Sequence, residues 1–79
     1  MSVDTLLEEI ILEGQKRGLN ATQLGVKAGF DKSTISLWKN GKRKPSIENL
    51  LKLLLALDYT LAIVDKSTGH IVDTLSISK

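Results

Sequence analysis

Residues 19–41, LNATQLGVKAGFDKSTISLWKNG, hold two helix starts and a tight turn, and the rest of the chain is arranged around them. Asn20 is placed to cap a first helix. Gln23, three residues on, can reach back to the cap residue's own amide, the reciprocal pattern of a capping box. Leu24 and Ala28 then share a face one turn apart. Gly29 supplies a left-handed residue to end that helix, and after Phe30 the carboxylate of Asp31 is expected to cap a second helix over KSTISLWKN. In that helix Ile35 and Trp38, three apart, point inward, which leaves Lys32, Ser33, Ser36 and Leu37 toward the opposite side. The outward face is short, polar and basic.

The charges gather on the same stretch. Residues 1–13 carry Asp4, Glu8, Glu9 and Glu13 with no basic side chain, a net −4. Residues 14–44 hold Lys16, Arg17, Lys27, Lys32, Lys39, Lys42, Arg43 and Lys44 against Asp31 alone, a net +7, and the remainder carries −1. The overall +2 hides this asymmetry, which suits a surface that meets phosphates; a solvated basic loop with no ligand is the plainer alternative.

Working outward, the first helix is expected from about Asp4 to Arg17, with Val3, Leu6, Leu7, Ile10 and Ile11 on one face and acids in its first half, where the helix dipole favours them. Leu12 falls off that face. Beyond Gly41, KRKPS reads as a loop with three consecutive cations, and Ser46 caps a helix from Ile47 to about Leu57. Its Ile47, Leu50, Leu51, Leu53, Leu54, Leu55 and Leu57 cover more than half the circumference, wider than one core needs. Either a second subunit or the last strands of the same chain would cover the excess. From Tyr59 the pattern turns strand-like: YTLAIVD and HIVDTLSIS are rich in β-branched residues, and DKSTGH between them offers a hairpin turn.

Seventy-nine residues make one small domain with a marginal core, so help from a partner is plausible. There is no cysteine and one histidine, His70, which excludes disulfides and thiolate sites and leaves no zinc set. The acidic start does not suit a signal peptide, LLKLLLAL is too short to span a bilayer, and a cytoplasmic, nucleoid-associated location without membrane contact is expected. No acid–base pair, nucleophile constellation or phosphate loop is present, which disfavours an enzyme.

At Leu19, Leu24, Ala28, Gly29, Thr34, Ile35, Ser36, Trp38 and Gly41, followed by Pro45, the chain resembles the Xre family of bacterial and phage regulators. An ordinary helical hairpin in another small bundle is the bland alternative. The resemblance implies a mainly α fold: a lambda-repressor-like helix-turn-helix domain of four to five helices over residues 1–58. A C-terminal β-strand or hairpin over 59–79 would serve dimerisation. It implies no cofactor and no metal. It also implies double-stranded DNA as partner, with base reading by Lys32, Ser33, Thr34, Ser36 and Leu37 and backbone contact by Asn20, Lys39, Asn40, Lys42 and Arg43. Leu37 packing against the core or a partner is the competing assignment.

The last strands resemble the HipB-type antitoxins, in which strands from two protomers join across the dimer axis. On that likeness Leu53, Leu57, Tyr59, Leu61 and Ile63 are the expected dimer contacts, and a HipA-like toxin kinase is a further expected partner. A phage or prophage repressor without a toxin is the alternative. The chain departs from the family at three positions. Gly14 and Lys39 stand where relatives often pair an arginine with a glutamate, and Ala21 replaces a glutamine that commonly holds a phosphate.

Overall fold

The computed structural model describes residues 3–75. Four helices come first: α1 (Val3–Lys16), α2 (Ala21–Lys27), α3 (Lys32–Lys39) and α4 (Ile47–Ala56); an antiparallel hairpin of β1 (Ala62–Val64) and β2 (Ile71–Thr74) follows. The mainly helical expectation holds, with four helices and not five. The strand stretches shorten to three and four residues. The expected strand residues from Ser76 onward lie outside the described residues.

Local chemistry accounts for the helix ends. Asn20 Oδ1 accepts the Gln23 amide at 2.8 Å and Gln23 Oε1 accepts the Asn20 amide at 2.9 Å, so both halves of the capping box form. Ser46 Oγ accepts the Asn49 amide at 3.1 Å and starts α4 in the same way. Asp31 corrects one expectation: it occupies the N-cap position of α3 with extended backbone, yet its carboxylate makes no capping hydrogen bond. The exposed carboxylate supports α3 through its charge at the positive helix end. Gly29 and Gly41, at φ +96° and +72°, end α2 and α3 in the left-handed conformation that glycine adopts without steric cost.

The core is one cluster. Leu7 and Ile10 of α1, Ala21 and Leu24 of α2, Ile35 and Trp38 of α3 converge on Leu50, Leu53 and Leu54 of α4 and on Leu57, which caps it. Phe30 closes the side of the cluster, edge-on to Trp38 with ring centroids 4.9 Å apart. The width of the α4 apolar face is now explained, because α4 packs across both α1 and α2. Leu53 and Leu57, expected at a subunit contact, are 2% and 1% exposed inside the protomer's own core, closed to any partner. Ile47 and Leu55 are the exposed remainder of that face, and the strands do not cover them.

The hairpin stands apart. Its strands pair with each other and pack on none of the helices. The radius of gyration, 13.1 Å, exceeds the roughly 11–12 Å of a compact chain of this length, and the long axis reaches 40 Å. Ile63, Val64, Ile71 and Val72 are 61%, 50%, 66% and 67% exposed. The turn is internally built: Asp65 Oδ1 accepts from both the Ser67 amide at 2.9 Å and the Ser67 hydroxyl at 2.6 Å. Those donors hold the Asp65 carboxyl below its ordinary value.

Candidate nucleic-acid interface

The direction of α3 is set by Gly25. A methyl group at this position would overlap Cδ1 and Cγ1 of Ile35, so only a residue without a side chain lets α3 lie this close to α2. A glycine inside a helix costs roughly 1 kcal/mol relative to alanine, and the close α2–α3 contact is what that sacrifice permits. With Ile35 packed on Gly25 of α2 and Trp38 buried in the core, the other side of α3 faces solvent. Lys32, Ser33 and Ser36 are exposed there. Leu37 is half-buried and lies outside the core cluster, and Thr34 sits half-buried at the flank.

Beyond α3 the loop folds back onto the helix end. The Leu37 carbonyl accepts the amides of both Lys42, at 3.0 Å, and Arg43, at 3.2 Å, which pins two exposed cations within a turn of the outward face. Asn40, capping α3, donates its amide to the Ser36 carbonyl at 3.0 Å and its Nδ2 to Ser36 Oγ at 3.4 Å. Lys39, Arg43 and Lys44 line one wall of a cleft of about 480 Å³ floored by Leu7, Ile11 and Trp38, with Asp4 and Glu8 of α1 on the opposite wall. No ion pair forms across it among the described residues; the pairs within 4.0 Å are Glu13–Lys16 and Glu48–Lys52. Lys39 is exposed.

At the other end of α3 a second cleft, of about 410 Å³, is lined by Asn20, Thr22, Gln23, Val26, Lys27 and Lys32. Asn20 spends its carbonyl oxygen on the Gln23 amide, which leaves the Nδ2 hydrogens to face outward as donors. Ala21 is buried against the core. The outward face of α3 is therefore flanked by two clefts, one carrying Lys27 and Lys32 and the other carrying Lys39, Arg43 and Lys44 together with Asp4 and Glu8. Thr22 joins this surface without having been singled out in the sequence, and Lys27 and Lys44, named there only as members of the basic block, join it as well.

Other residues depart from the surface. Arg17, part of the same basic run, turns away to donate Nη1 to the Leu57 carbonyl, with its guanidinium 4.8 Å from the centroid of the Tyr59 ring. Of the expected dimer contacts that remain, Leu61 is half-buried against the core, Tyr59 is engaged by Arg17, and Ile63 is open on the hairpin. His70 contributes its backbone to the turn: its carbonyl accepts from the Asp65 amide at 2.9 Å and its amide donates to Thr68 Oγ1 at 3.2 Å.

A four-helix body that turns a short polar helix outward with exposed cations near both its ends has the architecture of a helix-turn-helix module. Residues 11–64 match the helix-turn-helix family HTH_3, and the chain belongs to that family. Over 59 residues it is 37% identical to a Haemophilus influenzae protein described as an uncharacterized HTH-type transcriptional regulator. The match covers 75% of this chain and about 60% of that relative's length. No solved structure matches the chain significantly. Among the described residues no helix is long and apolar enough to cross a membrane.

Proposed function

We propose that the chain is a sequence-specific DNA-binding regulator of transcription that acts as a homodimer, repressing a promoter by occupying a palindromic operator. The observation that carries this reading is the outward face of α3, with Lys32, Ser33 and Ser36 exposed and the exposed cations Lys27, Lys39, Lys42 and Arg43 near its two ends. A short helix of this kind fits the major groove, where lysine suits guanine O6 and N7 and leucine suits a thymine methyl. Lys32, Ser33 and Leu37 are the base readers, with Thr34 and Ser36 beside them. Asn20, Lys39, Asn40, Lys42 and Arg43 hold the sugar-phosphate backbone, joined by Lys27. Two half-sites call for two protomers, and the open apolar hairpin is the surface that joins them, through Ile63 and its neighbours.

The reading involves no catalysis and no cofactor, and its setting is the nucleoid of the cytoplasm. An antitoxin that also holds a toxin kinase is the second reading, supported by an apolar hairpin that DNA contact does not require. The neighbouring open reading frame separates the two, since a kinase-like gene overlapping this one favours the antitoxin.

The base-reading assignment is tested on an operator obtained by selection from random duplexes. Lys32→Ala lowers discrimination at one base pair by about 1–3 kcal/mol and takes some salt dependence with it. Leu37→Ala leaves the salt slope alone and acts at one A·T pair, where uracil in place of thymine makes wild type and variant equal. A loss of about 2 kcal/mol of folding stability on Leu37→Ala, with base preference unchanged, makes Leu37 a packing residue instead.

A further inference from the structure

Among the described residues the hairpin meets the helical body through its root, residues 57–61, and that root is gripped by a side chain forty residues upstream. The last turn of α4 has no cation of its own, although the final carbonyls of a helix carry partial negative charge. Arg17, one residue past α1, supplies the cation by donating to the Leu57 carbonyl. Its guanidinium also lies over the Tyr59 ring, 4.8 Å from the centroid, within cation–π range. Tyr59 donates its hydroxyl to Glu13 Oε2 at 3.4 Å and its amide to the Leu54 carbonyl at 2.8 Å, so both ends of the residue are tied to the body. Between Leu57 and Tyr59, Asp58 adopts a left-handed φ of +62°, a conformation that side chains other than glycine rarely take, and the chain changes direction there. Leu61, tucked against the core, completes the attachment.

We propose that the Arg17–Tyr59 clamp is a positioning device: it fixes the orientation of the hairpin relative to α3, and so sets the spacing at which two joined protomers present their recognition helices to DNA. The inference rests on the dimeric reading above and goes beyond it, because hairpins on loose roots would still join two copies. In a two-fold assembly the recognition helices sit a helical turn of DNA apart, roughly 34–36 Å, and a small angular freedom at the root becomes a large displacement at that distance. Arg17 therefore serves spacing, while its neighbours in the basic run serve phosphate. Tyr59 acts from the body side of the joint and orients the strands that make the contact.

The test uses the full chain and a half-site recovered by selection, arranged as inverted repeats with a graded series of spacers. Wild type prefers one spacer by about tenfold or more, the reward for gripping both half-sites at once. Arg17→Gln and Tyr59→Leu flatten that preference to about twofold while leaving affinity for a duplex with a single half-site unchanged. Tyr59→Phe keeps the ring under the guanidinium and keeps the preference. Should Arg17→Gln fail to fold, the Tyr59 pair carries the test by itself, since Tyr59 lies at the surface. Sedimentation of the same samples separates the two claims: dimeric variants that retain a sharp spacer preference overturn the clamp, whereas a monomeric wild type on DNA overturns the dimeric reading and the clamp with it.

Discussion

The helical body and the hairpin are built from comparably apolar residues and dispose of them in opposite ways. In α4, Leu50, Leu51, Leu53 and Leu54 vanish into the protomer, while in the hairpin every residue of both strands is exposed. The difference lies in what each element packs on. Helix α4 is surrounded by α1 and α2 and finishes its own core; the hairpin has only its two strands, and such a unit is marginal in water by itself. Each strand also presents an open edge to solvent, a template for pairing with another chain. A body that closes its core alone and a hairpin that does not are the parts expected of a reader and a joint.

The comparison is broken most severely at the joint. Replacing Ile63 and Val72 together by aspartate leaves the exposed surface of the protomer soluble and its helices intact, but abolishes pairing. Affinity for a two-half-site operator then falls by about 100-fold or more, measured by titration, because the second contact is no longer intramolecular. Leu50→Ala attacks the other region and lowers folding stability by about 2–5 kcal/mol in denaturant titration. Ile71→Ala, measured at protein concentrations too low for pairing, changes that stability by no more than about 0.5 kcal/mol. Equal losses from Leu50→Ala and Ile71→Ala would erase the distinction between the two regions.

Smaller effects sharpen the picture of the reader. Gly25→Ala improves helix propensity yet costs about 1–3 kcal/mol, because the new methyl group forces Ile35 and α3 away from α2. Adding Ile35→Val recovers part of that loss, and a double-mutant cycle measures the recovery. Lys42→Ala and Arg43→Ala weaken binding to all sequences alike and each lower the salt slope by about one unit. A shift in preference at one base pair with an unchanged slope would instead make either residue a base reader.

The legible part of the fold is the part decided within a turn or two of sequence. Asn20 with Gln23, the Ser46 cap and Gly29 as a terminator are each local, and each forms where the sequence places it. The expectations that needed correction depend on residues far apart. The α4 leucines read as a surplus to be covered by a second subunit or by the chain's own last strands, because a stripe count does not show that two other helices flank α4. Arg17 reads as one more surface cation, since its partners, Leu57 and Tyr59, stand forty residues and more downstream. Gly25 draws no reading of its own from the sequence, because its purpose lies in Ile35 of the next helix. Even the local rule has an exception in Asp31, whose position is right and whose hydrogen bond is absent.

Sedimentation velocity with a labelled duplex carrying two selected half-sites tests the whole account most directly. The wild-type chain is predicted to sediment as two protomers on one duplex, and as a dimer without DNA. The Ile63→Asp, Val72→Asp chain is predicted to sediment as a folded monomer that occupies a single half-site weakly. A wild-type chain that loads one protomer at a time, or a doubly substituted chain that still arrives on the duplex as a pair, would contradict the division of this molecule into a reader and a joint.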